Sequence, residues 1–226
     1  MAKSGNHIGE EKILYVEGPN DKWVTISLRQ QYQHKEDVNI IDLENCDLAL
    51  QAFATKAASP SETKKLGLII DADSDIKARY QDIIKELRKS LNIEISEQEL
   101  AMKDGFVKEI RNISEDDIKI GIWIMPDNIG NGRLEDFLFE KIDAENELFL
   151  QIEPALKTLE ANAIGNTPLV SKMYKPIHRD KAKLHTYIAW SEHPDVSMGI
   201  AVKASLFEKV SETESKFRAW LEKLFY

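Results

Sequence analysis

The run Leu66-Gly-Leu-Ile-Ile-Asp71 constrains this chain more than any other stretch. Five uncharged residues followed by an acid do not suit a half-solvated strand. Such a strand is buried on both faces, as in parallel sheets covered by helices on either side. Residues 12–17 (Lys-Ile-Leu-Tyr-Val-Glu), 38–43 and 118–125 read as three further strands. Helical patterns separate them. After the turn Gly18-Pro19-Asn20, a helix runs to about Tyr32, with Trp23, Ile26 and Leu28 among its apolar positions. Residues 47–58 form an Ala- and Leu-rich helix closed by Ser59-Pro60-Ser61. In residues 75–91, Ile76, Tyr80, Ile83, Ile84 and Leu87 recur at spacings of three and four. Residues 92–118 are polar and read as an excursion with a short helix. This alternation predicts an α/β fold: a Rossmann-like, mainly parallel sheet flanked by helices.

Beyond about Arg133 the pattern is helical. The last helix starts at Ser211, with Glu214 completing a capping-box signature, and carries the stripe Phe217, Trp220, Leu221, Leu224 and Phe225. Residues 141–226 are expected to be a helical C-terminal region packed on the α/β domain. Trp23, Trp123, Trp190 and Trp220 all sit on apolar patterns, which predicts core roles. No apolar stretch approaches the roughly 20 residues of a membrane span. The start Met-Ala-Lys-Ser-Gly-Asn-His has no signal-peptide character, and Cys46 is the only cysteine. An intrachain disulfide is excluded and a Cys-based zinc site disfavoured. These features predict a cytoplasmic protein with no membrane partner.

The strand ends carry the chemistry. In open α/β sheets, ligands bind outside the carboxyl ends of the strands. The first strand delivers Glu17 and, one helical turn on, Asp21. The third delivers Asp71, Asp73 and Asp75. The fourth ends in Met125-Pro126-Asp127-Asn128, then Gly130 and Gly132, then Arg133-Leu134-Glu135-Asp136. In an extended segment residues i and i+2 point to one side, so Asp71 and Asp73 are expected next to each other. Two adjacent carboxylates repel, and a hard divalent cation such as Mg²⁺ or Mn²⁺ removes the conflict. The candidate metal ligands are Glu17, Asp21, Asp71, Asp73, Asp75 and Glu135, for one or two ions. Another role fits some of them: Asp73 and Asp75 suit the cap of the following helix, and Glu135, Asp136 and Asp127 suit helix-dipole and turn positions.

The blocks Tyr15-Val16-Glu17-Gly18-x-x-Asp21 and Ile69-Ile70-Asp71-Ala72-Asp73-x-Asp75 resemble a TOPRIM domain, over about residues 10–140. The third block, Gly121-Ile-Trp-Ile-Met-Pro126-Asp-Asn128 with Gly132-Arg-Leu134-Glu135-Asp136, looks like the OLD-like nuclease branch. More narrowly, the whole chain is similar to small stand-alone TOPRIM proteins lacking the ATPase domain. It holds no Gly-x-x-x-x-Gly-Lys-[Ser/Thr] loop. The resemblance implies a Mg²⁺-dependent nuclease hydrolysing DNA or RNA phosphodiesters by metal-assisted water attack. Glu17 matches a metal ligand or general acid/base, Asp71 and Asp73 match Mg²⁺ ligands, and Asp21 and Glu135 match acids that help hold a second metal. The branch also carries a downstream basic residue near the scissile phosphate, for which Lys181 and Lys183 are the candidates.

Charge qualifies this reading. The net charge of −9 disfavours a broad DNA-coating surface. Residues 1–150 hold 19 basic and 30 acidic side chains, whereas residues 151–226 hold 11 and 9. The densest basic run is Lys172, Lys175, Arg179, Lys181 and Lys183, with Tyr174 and His178 among them. Lys172, Tyr174, Lys175 and Arg179 are the candidate nucleic-acid contacts, by phosphate pairing and base stacking; an ordinary solvated loop is the other reading. A second copy or a separate protein is a further candidate partner. Two competing functions are a non-catalytic TOPRIM module that binds a nucleotide or partner, and a HAD-like phosphohydrolase using Asp71 as nucleophile. Against the latter, the acidic run follows the third strand and continues Ser74-Asp75.

Overall fold

A computed structural model describes residues 11–35, 37–164 and 166–226. Four strands are parallel: β1 (Lys12–Val16), β2 (Asn39–Asp42), β3 (Lys65–Asp71) and β5 (Asp117–Met125). A fifth, β4 (Phe106–Arg111), pairs antiparallel with β5 at the sheet edge. The strand order is β2-β1-β3-β5-β4. The chain is therefore α/β with a mainly parallel, Rossmann-like sheet. The antiparallel strand lies in the segment expected to be a polar excursion, which also holds the short helix α4 (Glu97–Leu100).

The strands alternate between two cores with the period of two that the pleat imposes. Leu14, Val16, Ile69, Trp123 and Met125 face one side, where α1 (Pro19–Gln31) and α10 (Glu212–Phe225) supply Val24, Leu28, Phe217, Trp220 and Leu224. Ile13, Leu66, Leu68, Ile70, Ile120, Ile122 and Ile124 face the other, against Phe53 of α2 (Cys46–Ala58) and Ile83 and Leu87 of α3 (Ile76–Leu91). The remaining helices are α5 (Leu134–Phe139), α6 (Glu147–Ala163), α7 (Thr167–Val170), α8 (Arg179–Trp190) and α9 (Met198–Lys203). Leu184, Met198 and Val202 join the first core.

The last helix is fitted to the sheet by two glycines. Gly67 and Gly121 are paired across β3 and β5. A Cβ on Gly67 would lie 2.6 Å from Leu14 Cδ1, and one on Gly121 would lie 2.7 Å from Leu224 Cδ2. The missing side chains make a notch that receives Leu224. The expected capping box at Ser211 is half formed. Ser211 Oγ accepts the Glu214 N–H at 2.9 Å, but the Glu214 carboxylate turns inward to the Tyr32 hydroxyl (3.1 Å) and to Lys141 Nζ.

Two of the four tryptophans depart from expectation. Trp123 and Trp220 are fully buried, but Trp23 is 55% and Trp190 47% exposed. The sheet-facing side of α1 carries Asp21, Val24, Thr25 and Leu28, so its phase turns Trp23 outward, against Gly199 of α9. Among the described residues, no helix is long and apolar enough to cross a membrane.

Candidate active site

Because β1 and β3 are parallel neighbours, their carboxyl ends open on the same edge. The chain leaves β1 for β2 on one side and returns to β3 on the other, so the switch point of the sheet lies between them. Glu17 follows the last residue of β1, and Asp71 is the last residue of β3. Asp21 lies in the first turn of α1 and Glu135 in the first turn of α5. Both are buried, at 8% and 7% exposure. Backbone donors tie the group together. The Asp71 N–H donates to Glu17 Oε2 at 3.3 Å, and the Leu134 N–H donates to Asp71 Oδ1 at 3.1 Å.

No ion pair among the described residues involves Glu17, Asp21, Asp71 or Glu135. Burial without a cation disfavours the charged form. Burial, then repulsion from Glu17, pushes the Asp21 carboxyl up to about 7. Burial, followed by the charges of Asp21, Glu17 and Glu135, raises Asp71 well above the carboxylate range. Burial raises Glu17 as well, partly offset by the Asp71 N–H. Asp21 Oδ1 is buried with no hydrogen-bond partner. The group is gathered but not closed: among the described residues, no three His, Cys, Asp or Glu side chains are arranged as ligands of one ion. An unpartnered buried carboxylate oxygen among four acids nevertheless fits a hard divalent cation.

The other acids of the strand-end motifs are occupied. Asp75 caps α3, accepting the N–H groups of Lys77 and Ala78, each at 3.1 Å. Asp136 reaches back to the Arg133 N–H (2.8 Å), and Asp127 accepts the N–H of Gly130 (2.7 Å). Asp73 is not extended: its φ is +55°, so the expectation that it shares a side with Asp71 by simple alternation does not hold. A two-way backbone bridge with Gly132 holds it there, at 2.9 and 2.8 Å. Its carboxylate accepts from Arg133 Nε at 2.6 Å and Arg79 Nη2 at 3.1 Å. Neither arginine was singled out by the strand-end pattern, although Arg133 directly precedes Leu134-Glu135-Asp136 and is flagged by that adjacency. Cys46 is free, and burial pushes its thiol up to about 12, which removes it as a nucleophile at neutral pH.

The basic run divides. Arg179 is paired with Glu153 (2.8 Å) and Glu160 (2.7 Å), and the Tyr174 hydroxyl donates to Glu160 at 2.7 Å. These two residues knit the helical region together, and their polar side-chain atoms are engaged within the chain. Lys183 pairs with Glu153 at 3.5 Å and lies over the rings of Phe139 and Phe149. Lys172 and Lys175 are both exposed at the surface. Lys181 is exposed on the turn of α8 next to His185. His185, which sequence spacing gave no reason to select, is held below its usual pKa by partial burial and then by Lys181, with Glu135 acting in the opposite sense.

Fold and site together define an α/β protein with a cluster of four acids, two buried and two half-buried, at the switch point of its sheet. The chain belongs to the family described as "Protein of unknown function (DUF3226)", whose sequence model it matches over residues 11–226. No curated protein and no solved structure matches it.

Proposed function

We propose that this protein is a divalent-metal-dependent nuclease of TOPRIM type that hydrolyses phosphodiester bonds of DNA or RNA. One observation carries the reading: Glu17, Asp21, Asp71 and Glu135 meet at the switch point, none of them ion-paired among the described residues, and Asp21 Oδ1 is buried and unpartnered. Four oxygen-donor side chains of this kind are suited to Mg²⁺ or Mn²⁺. Bound ions supply charge neutralisation and an activated water for in-line displacement at phosphorus.

The chain's own groups do the rest. Asp21, Asp71 and Glu135 would hold the ions. The N–H groups of Asp71 and Leu134 fix the carboxylates of Glu17 and Asp71. Glu17 keeps its proton to higher pH than an ordinary glutamate. With Oε2 engaged by the Asp71 N–H, Oε1 would be the atom free to take the proton of the attacking water, and solvent would protonate the leaving oxygen. Asp75, spent on its helix, is outside this set. A single-cysteine chain suits a reducing compartment, so we place the reaction in the cytoplasm.

Purified protein with Mg²⁺ or Mn²⁺ is expected to cut a panel of single- and double-stranded DNA and RNA substrates. Asp71→Ala and Glu17→Ala are each expected to abolish cutting. Metal-dependent cleavage that survives both substitutions would refute the assignment. Nucleic-acid binding that persists in a chelator, without turnover under any condition, would favour a non-catalytic binding module.

A further inference from the structure

We infer that the second acid of the Asp-x-Asp pair, Asp73, is a positioning residue rather than a metal ligand, and that the Arg133 guanidinium it holds contacts the scissile phosphate. The inference rests on the reading of the site given above. The resemblance assigns Asp73 to the metal, but its surroundings do not fit that role. Both of its oxygens are taken by guanidinium groups, Oδ1 by Arg133 and Oδ2 by Arg79. Its left-handed backbone is fixed by two hydrogen bonds to Gly132. Asn131 adds two more ties between the same loops, to the Ile76 N–H (2.9 Å) and the Ser74 carbonyl (2.7 Å). The loops after β3 and β5 thus form one stitched unit, and Asp73 is locked into it between two cations.

The two arginines are not equivalent. Arg79 is 12% exposed and gives Nε to the Asp71 carbonyl at 2.9 Å and Nη2 to Asp73. It serves as the rear support. Arg133 is 30% exposed and gives Nε to Asp73 and Nη1 to the Ile177 carbonyl at 2.9 Å. Its Nη2 has no partner among the described residues, so the fork keeps N–H donors for an incoming group. Arg133 lies within electrostatic reach of Glu17, Asp71 and Glu135, at the rim of the acidic group. A planar guanidinium held at one edge and open at another suits the non-bridging oxygens of a phosphodiester. The acids alone would repel that substrate. The lysines of α8 are less well placed: Lys183 is engaged elsewhere, and no hydrogen bond or ion pair among the described residues fixes Lys181. The Ile177 bond also ties Arg133 to the segment carrying Lys172 and Lys175.

The test compares Asp73→Asn, Arg133→Gln and Arg133→Ala with the unaltered chain in two assays. One is the Mn²⁺-induced rise in melting temperature, and the other is cleavage kinetics on a labelled oligonucleotide. All three variants are expected to keep the Mn²⁺ response. Arg133→Gln is expected to lose on the order of 10²-fold in kcat, and Arg133→Ala to regain part of its rate with added methylguanidinium. Asp73→Asn is expected to lower kcat more than it raises KM. A lost Mn²⁺ response in Asp73→Asn makes Asp73 a ligand and overturns the inference, as does Arg133→Gln cutting at the unaltered rate. An unaltered chain that neither responds to Mn²⁺ nor cuts overturns the metal-site reading, and this inference with it.

Discussion

This protein buries carboxylates in two places and treats them in opposite ways. Glu214, 4% exposed, receives Lys141 Nζ on one oxygen and the Tyr32 hydroxyl on the other, and Lys141 is itself only 2% exposed. At the switch point, Glu17, Asp21, Asp71 and Glu135 have no such cation, and an oxygen of Asp21 has no partner. A buried charge matched within the chain is complete as built. A buried charge left unmatched has a folding cost that an external cation offsets. Asp73 stands between the two cases, matched by two arginines whose donors are not all used.

The comparison breaks most visibly at the matched end. Lys141→Met strands Glu214 as an uncompensated buried charge, and chemical denaturation is expected to show a loss of about 3–5 kcal/mol, with no change in the response to Mn²⁺. Next comes pH. The carboxyls of Glu17, Asp21 and Asp71 are raised in the folded state, so between about pH 4 and about pH 7 the native protein binds more protons than the unfolded chain. Stability contributed by these groups is therefore present below the unfolded carboxyl range and lost as pH rises toward about 7. In EDTA the loss is expected to reach a few kcal/mol, read as a falling melting temperature. Saturating Mn²⁺ is expected to flatten that slope, and an equal slope in both conditions would contradict a composite metal site.

A smaller effect separates the two regions by sign. Asp21→Asn removes one unmatched charge, and at pH 8 in EDTA it is expected to stabilise the protein by about 1–3 kcal/mol, a few degrees in melting temperature. The same variant is expected to lose the Mn²⁺ response. Smallest is Asp75→Ala, which deletes a helix cap at about 1 kcal/mol. Its Mn²⁺ response is expected to match the unaltered chain, since Asp75 belongs to the acidic run only by sequence.

How much of this could be read from the chain follows from which signals are local. The buried parallel strands were legible because Leu66, Leu68 and Ile70 alternate with Gly67 and Ile69 and both sets are apolar. The placing of Glu17 and Asp71 at one edge then follows from parallel topology alone. Strand β4 was not legible. It has only Phe106, Val107 and Ile110 as apolar residues among Lys108, Glu109 and Arg111, a composition that an edge strand tolerates and a loop shares. The role of Asp73 was also hidden. Its left-handed backbone is imposed by Gly132, and its arginines arrive from 6 and 60 positions away. Asp75 was read as a metal ligand with a helix cap as its other reading, and its carboxylate caps α3. Trp23 misled because a helix with both an apolar stripe and a buried acid gives no sign of which face meets the sheet.

The notch at Gly67 and Gly121 bears on the order in which the molecule is made. Strands β3 and β5 are complete by Met125, but the helix that fills the notch ends at Phe225. At ribosomal rates of about 5–20 residues per second, those strands wait roughly 5–20 s for their cover. Early in that interval Glu135 joins Glu17, Asp21 and Asp71, while the part of the sheet that α10 covers is still bare. The four acids are thus made before the helix that completes the cover of the sheet beneath them.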